Sequence, residues 1–192
     1  MEPDLPPEHD HSPEPAGRDT TPAPASDTAA PRTFVSSSEA ATETLGEQLG
    51  KALAAPALIA LDGELGAGKT AFVRGLARGL GVHDGVSSPT YALLQTYAGR
   101  IDLHHLDAWM EGRERAFLSD GGLEWVSGSG VTVIEWAERV ADVLPLPHLH
   151  VLLDVVARDE RRITVEVRGT DPSLAAVAAT LHAQPGLVLV RV

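Results

Sequence analysis

Residues 63–70 read Gly-Glu-Leu-Gly-Ala-Gly-Lys-Thr, set between the apolar run "ALIALDG" (57–63) and the helix-periodic stretch "KTAFVRGLARGLG" (69–81). Few folds accommodate a buried strand, a glycine-rich turn and a helix in immediate succession. The glycines let successive backbone N–H groups face one point, and the helix that follows adds its own unpaired N–H groups there. The product is an anion site suited to phosphate. Lys69 is placed to reach β- and γ-phosphates and Thr70 to put its hydroxyl on a magnesium ion. The predicted nucleotide-binding set is Gly63, Glu64, Leu65, Gly66, Ala67, Gly68, Lys69, Thr70 and Ala71.

Elsewhere the patterning predicts an α/β domain. "TFVSSSEAATETLGEQLGKALAAP" (33–56) reads as a short strand and then a helix with Ala41, Leu45, Leu49 and Leu53 on one face, capped by Ser37 or Ser38. Phe72, Val73, Leu76 and Leu80 form the apolar face of the helix after the loop. "YALLQTY" and "RIDLHHLD" read as a hairpin about Ala98-Gly99, "EGRERAFLS" as a short helix, and "VTVIEWAE" as a second central strand. "RVADVL" reads as a turn or two of helix. "LHVLLDVVA" and "RRITVEVRG" form a hairpin about Arg158-Asp159-Glu160, followed by a proline-started helix, "PSLAAVAATLHAQ", and an edge strand, "LVLVRV". The expected fold is a three-layer α/β fold of the P-loop NTPase kind, with central parallel strands flanked by antiparallel ones.

Composition sets the limits. Residues 1–32 hold 8 of the 14 prolines and 7 acidic residues against 2 arginines, with one leucine and no valine, isoleucine or aromatic. So little apolar surface does not offset ordering entropy, so the segment reads as a disordered tail before one ATPase domain at 33–192. It lacks the basic start and apolar stretch of a secretory signal. With no cysteine in the chain, disulfides and thiolate metal sites are excluded. No apolar run is long enough for a membrane helix, so a cytoplasmic protein without membrane contact is expected. A net charge of -12 argues against direct, tight binding of a nucleic-acid backbone.

Magnesium needs oxygen ligands beyond a hydroxyl and phosphate. Asp107 ends "IDLHHLD" and Glu135 ends "VTVIE", and strand C-termini in a parallel-centred sheet point to the ligand crevice. Either acid can hold the metal while the other orients the attacking water. Thr90, after Ser88-Pro89, begins a strand beyond a loop and is placed to sense a γ-phosphate. His104 and His105 point to opposite faces of a strand, so they do not share a ligand; His105 shares a face with Asp107 and suits a hydrogen bond behind the metal. Trp136 is either core or a lid on the nucleotide, and Trp109 and Trp125 are core or partner-facing.

Taken in order and spacing, "GELGAGKTAFVRGLARGLG", "VSSPTYALLQTY", "HLDAW" and "VIEWAE" resemble the TsaE family (formerly YjeE), from about Thr33 to about Ala178. Members are small bacterial P-loop ATPases required for threonylcarbamoyladenosine at position 37 of tRNAs that read codons beginning with adenine. The resemblance implies ATP and Mg2+ as cofactors, a switch-like Ser88-Pro89-Thr90, Asp107 as the Walker B-type acid, Glu135 at magnesium and Trp136 near the nucleotide. It also implies that Glu39 and Thr42 approach adenine or ribose. Catalytic roles fall on Lys69, Thr90, Asp107 and Glu135, and the metal on Thr70, Glu135 and Asp107. The implied partners are a TsaD-like transferase and a TsaB-like subunit, with tRNA met only indirectly and hydrolysis slow in the isolated chain. Two positions depart from the family pattern: Met110 where arginine is common, with Arg113 and Arg115 nearby, and Ala137 where proline is common. The other classes compatible with a phosphate loop are a small-molecule kinase and a non-hydrolysing nucleotide sensor. The stretch after "EGRERAFLSDGG" is short for a kinase lid, and no guanine-recognition segment is present.

Overall fold

The computed structural model describes residues 30–54, 56–89, 93–110, 112–122, 128 and 130–190. In chain order they form β1 (Arg32–Ser36), α1 (Glu39–Ala52), β2 (Ala57–Gly63), α2 (Lys69–Gly79), β3 (Leu94–Tyr97), β4 (Asp102–Asp107), α3 (Arg113–Phe117), β5 (Gly130–Glu135), a 3-10 helix (Ala137–Val143), β6 (His148–Ala157), β7 (Glu160–Arg168), α4 (Pro172–Thr180) and β8 (Leu187–Val190). All eight strands join one sheet in the order β3-β4-β5-β2-β6-β7-β1-β8. The middle strands β4, β5, β2 and β6 run parallel. The edges are antiparallel on both sides, β3 on β4 and β7, β1 and β8 beyond β6. This is the expected α/β architecture.

Local chemistry accounts for the helices. Ser38 caps α1, its hydroxyl accepting the Ala41 N–H at 3.1 Å. Asp171 caps α4 by accepting from Ser173 and Leu174, with Pro172 in the first turn. The main core lies between the sheet and α1, α2 and α4, where Leu45, Leu49, Phe72, Leu76 and Leu80 are fully buried with Ile59, Leu61 and Val133. On the opposite face the covering layer is thin. Leu118, Ala137 and Val140 pack with Leu58, Ala60, Leu106, Ala108 and Ile134, flanked by the partly buried Leu94, Phe117 and Val143, and on that side β6 and β7 carry His150, Thr164 and Glu166.

Boundaries differ in small ways from the expectation. β1 starts at Arg32, whose guanidinium donates to the Leu181 carbonyl at 2.7 Å. Glu160 already belongs to β7, and α4 ends at Thr180, because Leu181 turns extended and Gln184 bridges to Leu187. The expectations for residues 1–29, Thr90, Tyr91, Ala92 and Trp125 lie outside the described residues. Among the described residues no helix is long and apolar enough to cross a membrane.

The α1–α2 contact is built on glycine. A Cβ on Gly46 would stand 2.2 Å from the Phe72 carbonyl oxygen and one on Gly50 2.4 Å from that of Leu76. On α2, a Cβ on Gly75 would stand 1.9 Å from the Glu43 carbonyl oxygen and one on Gly79 2.3 Å from that of Glu47. Four missing methyls bring the two backbones together, and the flanking charges pair across the seam: Arg74 with Glu39 and Glu43, Arg78 with Glu43 and Glu47. Apolar periodicity does not reveal this seam. Gly75→Ala should force the helices apart and cost about 2–3 kcal/mol, read as a lower urea midpoint. Gly85→Ala, where a Cβ meets nothing within 4 Å, should bring no loss.

Candidate nucleotide and magnesium site

At the end of β2 the chain turns against β6. Gly63 has φ 142°, and a Cβ there would stand 2.5 Å from the Leu153 carbonyl oxygen, so only glycine fits. Ala67 closes a tight turn, donating to the Glu64 carbonyl at 3.1 Å. Gly68, left-handed at φ 102°, then hands the chain to α2 at Lys69. Above the helix start is a cavity of about 560 Å³ lined by Leu65 through Ala71, with Asp107, Glu135 and Trp136. Gly63 and Glu64 serve differently: their carbonyls hold Lys69.

Lys69 is 5% exposed. Its Nζ donates to the Gly63 and Glu64 carbonyls at 2.5 and 3.1 Å and lies 3.3 Å from the Trp136 ring centroid. Burial pulls its pKa below the ordinary lysine value, opposed by the carboxylates of Glu135, Glu138, Asp107 and Asp62. Those carboxylates and the two carbonyls hold the cation in place at the N-terminal end of α2, where the helix's unpaired N–H groups add donors for a phosphate. The cavity therefore fits a polyphosphate.

Asp107 and Glu135 are register partners on β4 and β5, 2% and 3% exposed. Glu135 accepts from the Thr70 hydroxyl at 3.1 and 3.3 Å and pairs with His105 Nε2 at 2.9 Å. Asp107 is held differently, by the Ser88 hydroxyl at 3.0 Å and the Trp109 N–H at 2.9 Å. His105 makes its bond to Glu135 across the strand pair, and its Nδ1 is buried with no partner among the described residues. The donors are hard oxygens, hydroxyl and carboxylate. Among the described residues no cluster of three His, Cys, Asp or Glu forms a metal cage. That combination suits magnesium, which takes one or two carboxylates and completes its shell with phosphate and water. Thr70 and Glu135 are the pair that would hold it, because they already meet; Asp107 stands beside them.

Trp136 does both things the sequence left open, lining the cavity while packing against the smaller core cluster. At φ 61° and ψ 38° it leaves the strand alternation, and its ring lies against Lys69 and meets Trp109 at a tilt of 54° with centroids 4.6 Å apart. A left-handed tryptophan is strained, and its N–H bond to the Leu61 carbonyl helps to hold it. Arg115 pairs with Asp142, so the arginine beside Trp109 is Arg139, 4.4 Å above its ring. Glu39 and Thr42 line the cavity. The Thr42 hydroxyl, however, is taken up by Ser36 Oγ at 2.8 Å and the Ser38 carbonyl at 3.3 Å. Sequence reasoning missed Arg74, Arg158, Asp159 and Arg161, which also line the cavity. Arg158 and Asp159 were legible only as a hairpin turn, with nothing local to aim it at the loop.

Behind the loop a polar chain braces β2. His150 bonds Asp62 Oδ2 at 2.7 Å and Glu166 Oε1 at 3.0 Å, while Asp62 Oδ1 accepts the Glu138 N–H at 2.9 Å. The bond to Asp62, with Glu166 assisting against burial, raises the His150 pKa above the ordinary histidine value. A raised folded pKa means the contribution to stability is complete below about pH 6.5 and is lost as pH rises through the raised value. In His150→Gln, urea midpoints measured from pH 6 to 8.5 should lose that part of the downward slope.

A strand–loop–helix unit with a buried lysine, in a sheet whose parallel strands deliver two acids to one cavity, defines a P-loop nucleotide hydrolase. Residues 36–163 match the family model for the threonylcarbamoyl adenosine biosynthesis protein TsaE. A Treponema pallidum protein named tRNA threonylcarbamoyladenosine biosynthesis protein TsaE is 44% identical over 131 residues, 68% of this chain and 97% of that one. Its Bacillus subtilis namesake is 38% identical over 58% of this chain and 70% of that one. The crystal structure of Bacillus subtilis YdiB superposes with a TM-score of 0.61 at 28% identity, over 77% of this chain and 92% of that one. The chain belongs to the TsaE family of tRNA-modification P-loop ATPases, and ATP and Mg2+ are its cofactors.

Proposed function

We propose that this chain is the ATP-driven accessory of threonylcarbamoyladenosine formation on tRNAs reading codons that begin with adenine. It docks on a TsaD-like transferase with a TsaB-like subunit and meets tRNA only through them. The observation that carries the assignment of roles is the meeting of Thr70, Glu135 and His105 at the start of α2. Lys69 exchanges its two carbonyl partners for β- and γ-phosphate oxygens, which carry more charge. Thr70 and Glu135 would hold magnesium, which would supply neutralisation of phosphate charge. His105 fixes the Glu135 carboxylate, and Asp107, set by Ser88 and Trp109, orients the attacking water. Ser88 joins this acid to the loop leading to Thr90, the residue assigned to sense the γ-phosphate. Glu39 and Thr42 stand at the adenosine end, and Trp136 lies over the lysine.

Two features support dependence on a partner. Chemistry here is positioning and charge neutralisation, and the arginine common in the family after the H-x-D motif is Met110 in this chain. The rim of the site also exposes apolar surface, with Leu65 82% and Trp109 40% accessible, of the kind a docked protein covers. The charge of -12 leaves tRNA to the partner.

The full chain should release phosphate from Mg-ATP slowly without any acceptor, and faster with the transferase complex. Lys69→Ala should weaken Mg-ATP binding by roughly one to two powers of ten while the protein stays folded. Asp107→Asn should keep nucleotide affinity yet slow phosphate release by about a hundredfold. Rapid turnover by the isolated chain, indifferent to the transferase complex, would overturn the accessory role; wild-type affinity in Lys69→Ala would overturn the site.

A further inference from the structure

Arg161 stands in β7, far along the chain from the phosphate loop, and spends its guanidinium on backbone carbonyls. Nε donates to Ala67 at 3.0 Å and one terminal nitrogen to Gly66 at 3.2 Å. The other terminal nitrogen donates to Ala157, Arg158 and Glu160 at 3.0, 3.2 and 3.0 Å. One planar cation thus ties the tip of the β6–β7 hairpin to the middle of the glycine-rich loop.

We infer that Arg161 is a positioning residue for nucleotide binding, locking the loop in its anion-accepting form before the ligand arrives. In a trans peptide the carbonyl and the following N–H point opposite ways. A donor that pins the Ala67 carbonyl therefore directs the Gly68 N–H to the other side of its plane, and pinning the Gly66 carbonyl does the same for Ala67, whose N–H closes the turn onto Glu64. The left-handed Gly68 has many alternatives open to it. Without a partner for its outward carbonyls, the loop would sample them, and binding would have to supply the ordering. The guanidinium suits this task because its five donors are fixed in a plane, which an ammonium lacks. A second contact limits the same loop from the same hairpin: Gly63 sits against the Leu153 carbonyl. Arg158 and Asp159, at the tip that Arg161 holds, line the nucleotide cavity, so the hairpin and the loop form one wall.

This inference rests on the nucleotide reading above, and the test separates the two. Full-length protein is titrated with Mg-ADP by calorimetry, and backbone amide exchange is followed in the nucleotide-free state. Arg161→Gln should bind Mg-ADP about tenfold more weakly, with faster exchange at Gly68 and a nearly unchanged urea midpoint. Arg161→Lys should fall between it and the wild type, and serves alone if the glutamine variant does not fold. Arg162→Gln, the exposed neighbour, should match the wild type. Unchanged affinity and unchanged Gly68 exchange in the Arg161 variants would overturn the positioning role, as would a lowered midpoint with wild-type affinity. Failure of the wild type itself to bind Mg-ADP would instead remove the nucleotide reading.

Discussion

A single buried ammonium governs this molecule. Lys69 is the first residue of α2, buried at the positive end of the helix dipole. It is tolerated because the Gly63 and Glu64 carbonyls accept its protons and because Asp62, Asp107, Glu135 and Glu138 surround it with negative charge. Those acids arrive from the ends of β2, β4 and β5 and the first turn of the 3-10 helix after β5. The parallel arrangement of the central strands is therefore the means by which four separate parts of the chain reach one cation. A phosphate chain entering the cavity completes a charge pattern that is already in place.

Rigidity around that cation comes from unlike sources. On one side α1 and α2 touch backbone to backbone through Gly46, Gly50, Gly75 and Gly79, which fixes the helix that begins with Lys69. On the other, Arg161 and Leu153 hold the loop to the β6–β7 hairpin. Beneath it, the Asp62–His150–Glu166 chain ties the end of β2 to β6 and β7, and through the Glu138 N–H to the segment that carries Trp136. At the rim Ser88 donates to Asp107, and Leu65 and Trp109 are exposed.

Two departures from the family pattern find a place in this picture. Ala137 is the first residue of the 3-10 helix after Trp136, a position whose geometry suits proline, so alanine continues the same turn with an N–H in addition. Met110 lies 39% exposed at the rim beside Trp109. Arg115 does not take the place of the missing arginine, being paired with Asp142; Arg139 is the arginine that lies against Trp109.

The sequence by itself determined whatever depends on neighbours in the chain. The strand, octet and helix around Lys69, a serine cap on α1 at Ser37 or Ser38, the hairpins, the shared face of His105 and Asp107, and the family were all legible, because dihedral preference, apolar period and motif spacing are local properties. Tertiary structure decided which acid meets Thr70, since that bond spans 65 residues and depends on the register of β5 beside β2. It also decided the turn of Trp136 toward Lys69, the glycine seam and the reach of Arg161 across 94 residues to Ala67. In β7, Arg161 and Arg162 look alike as letters; the alternation of the strand and the place of that strand in the sheet aim one at the loop and the other at solvent.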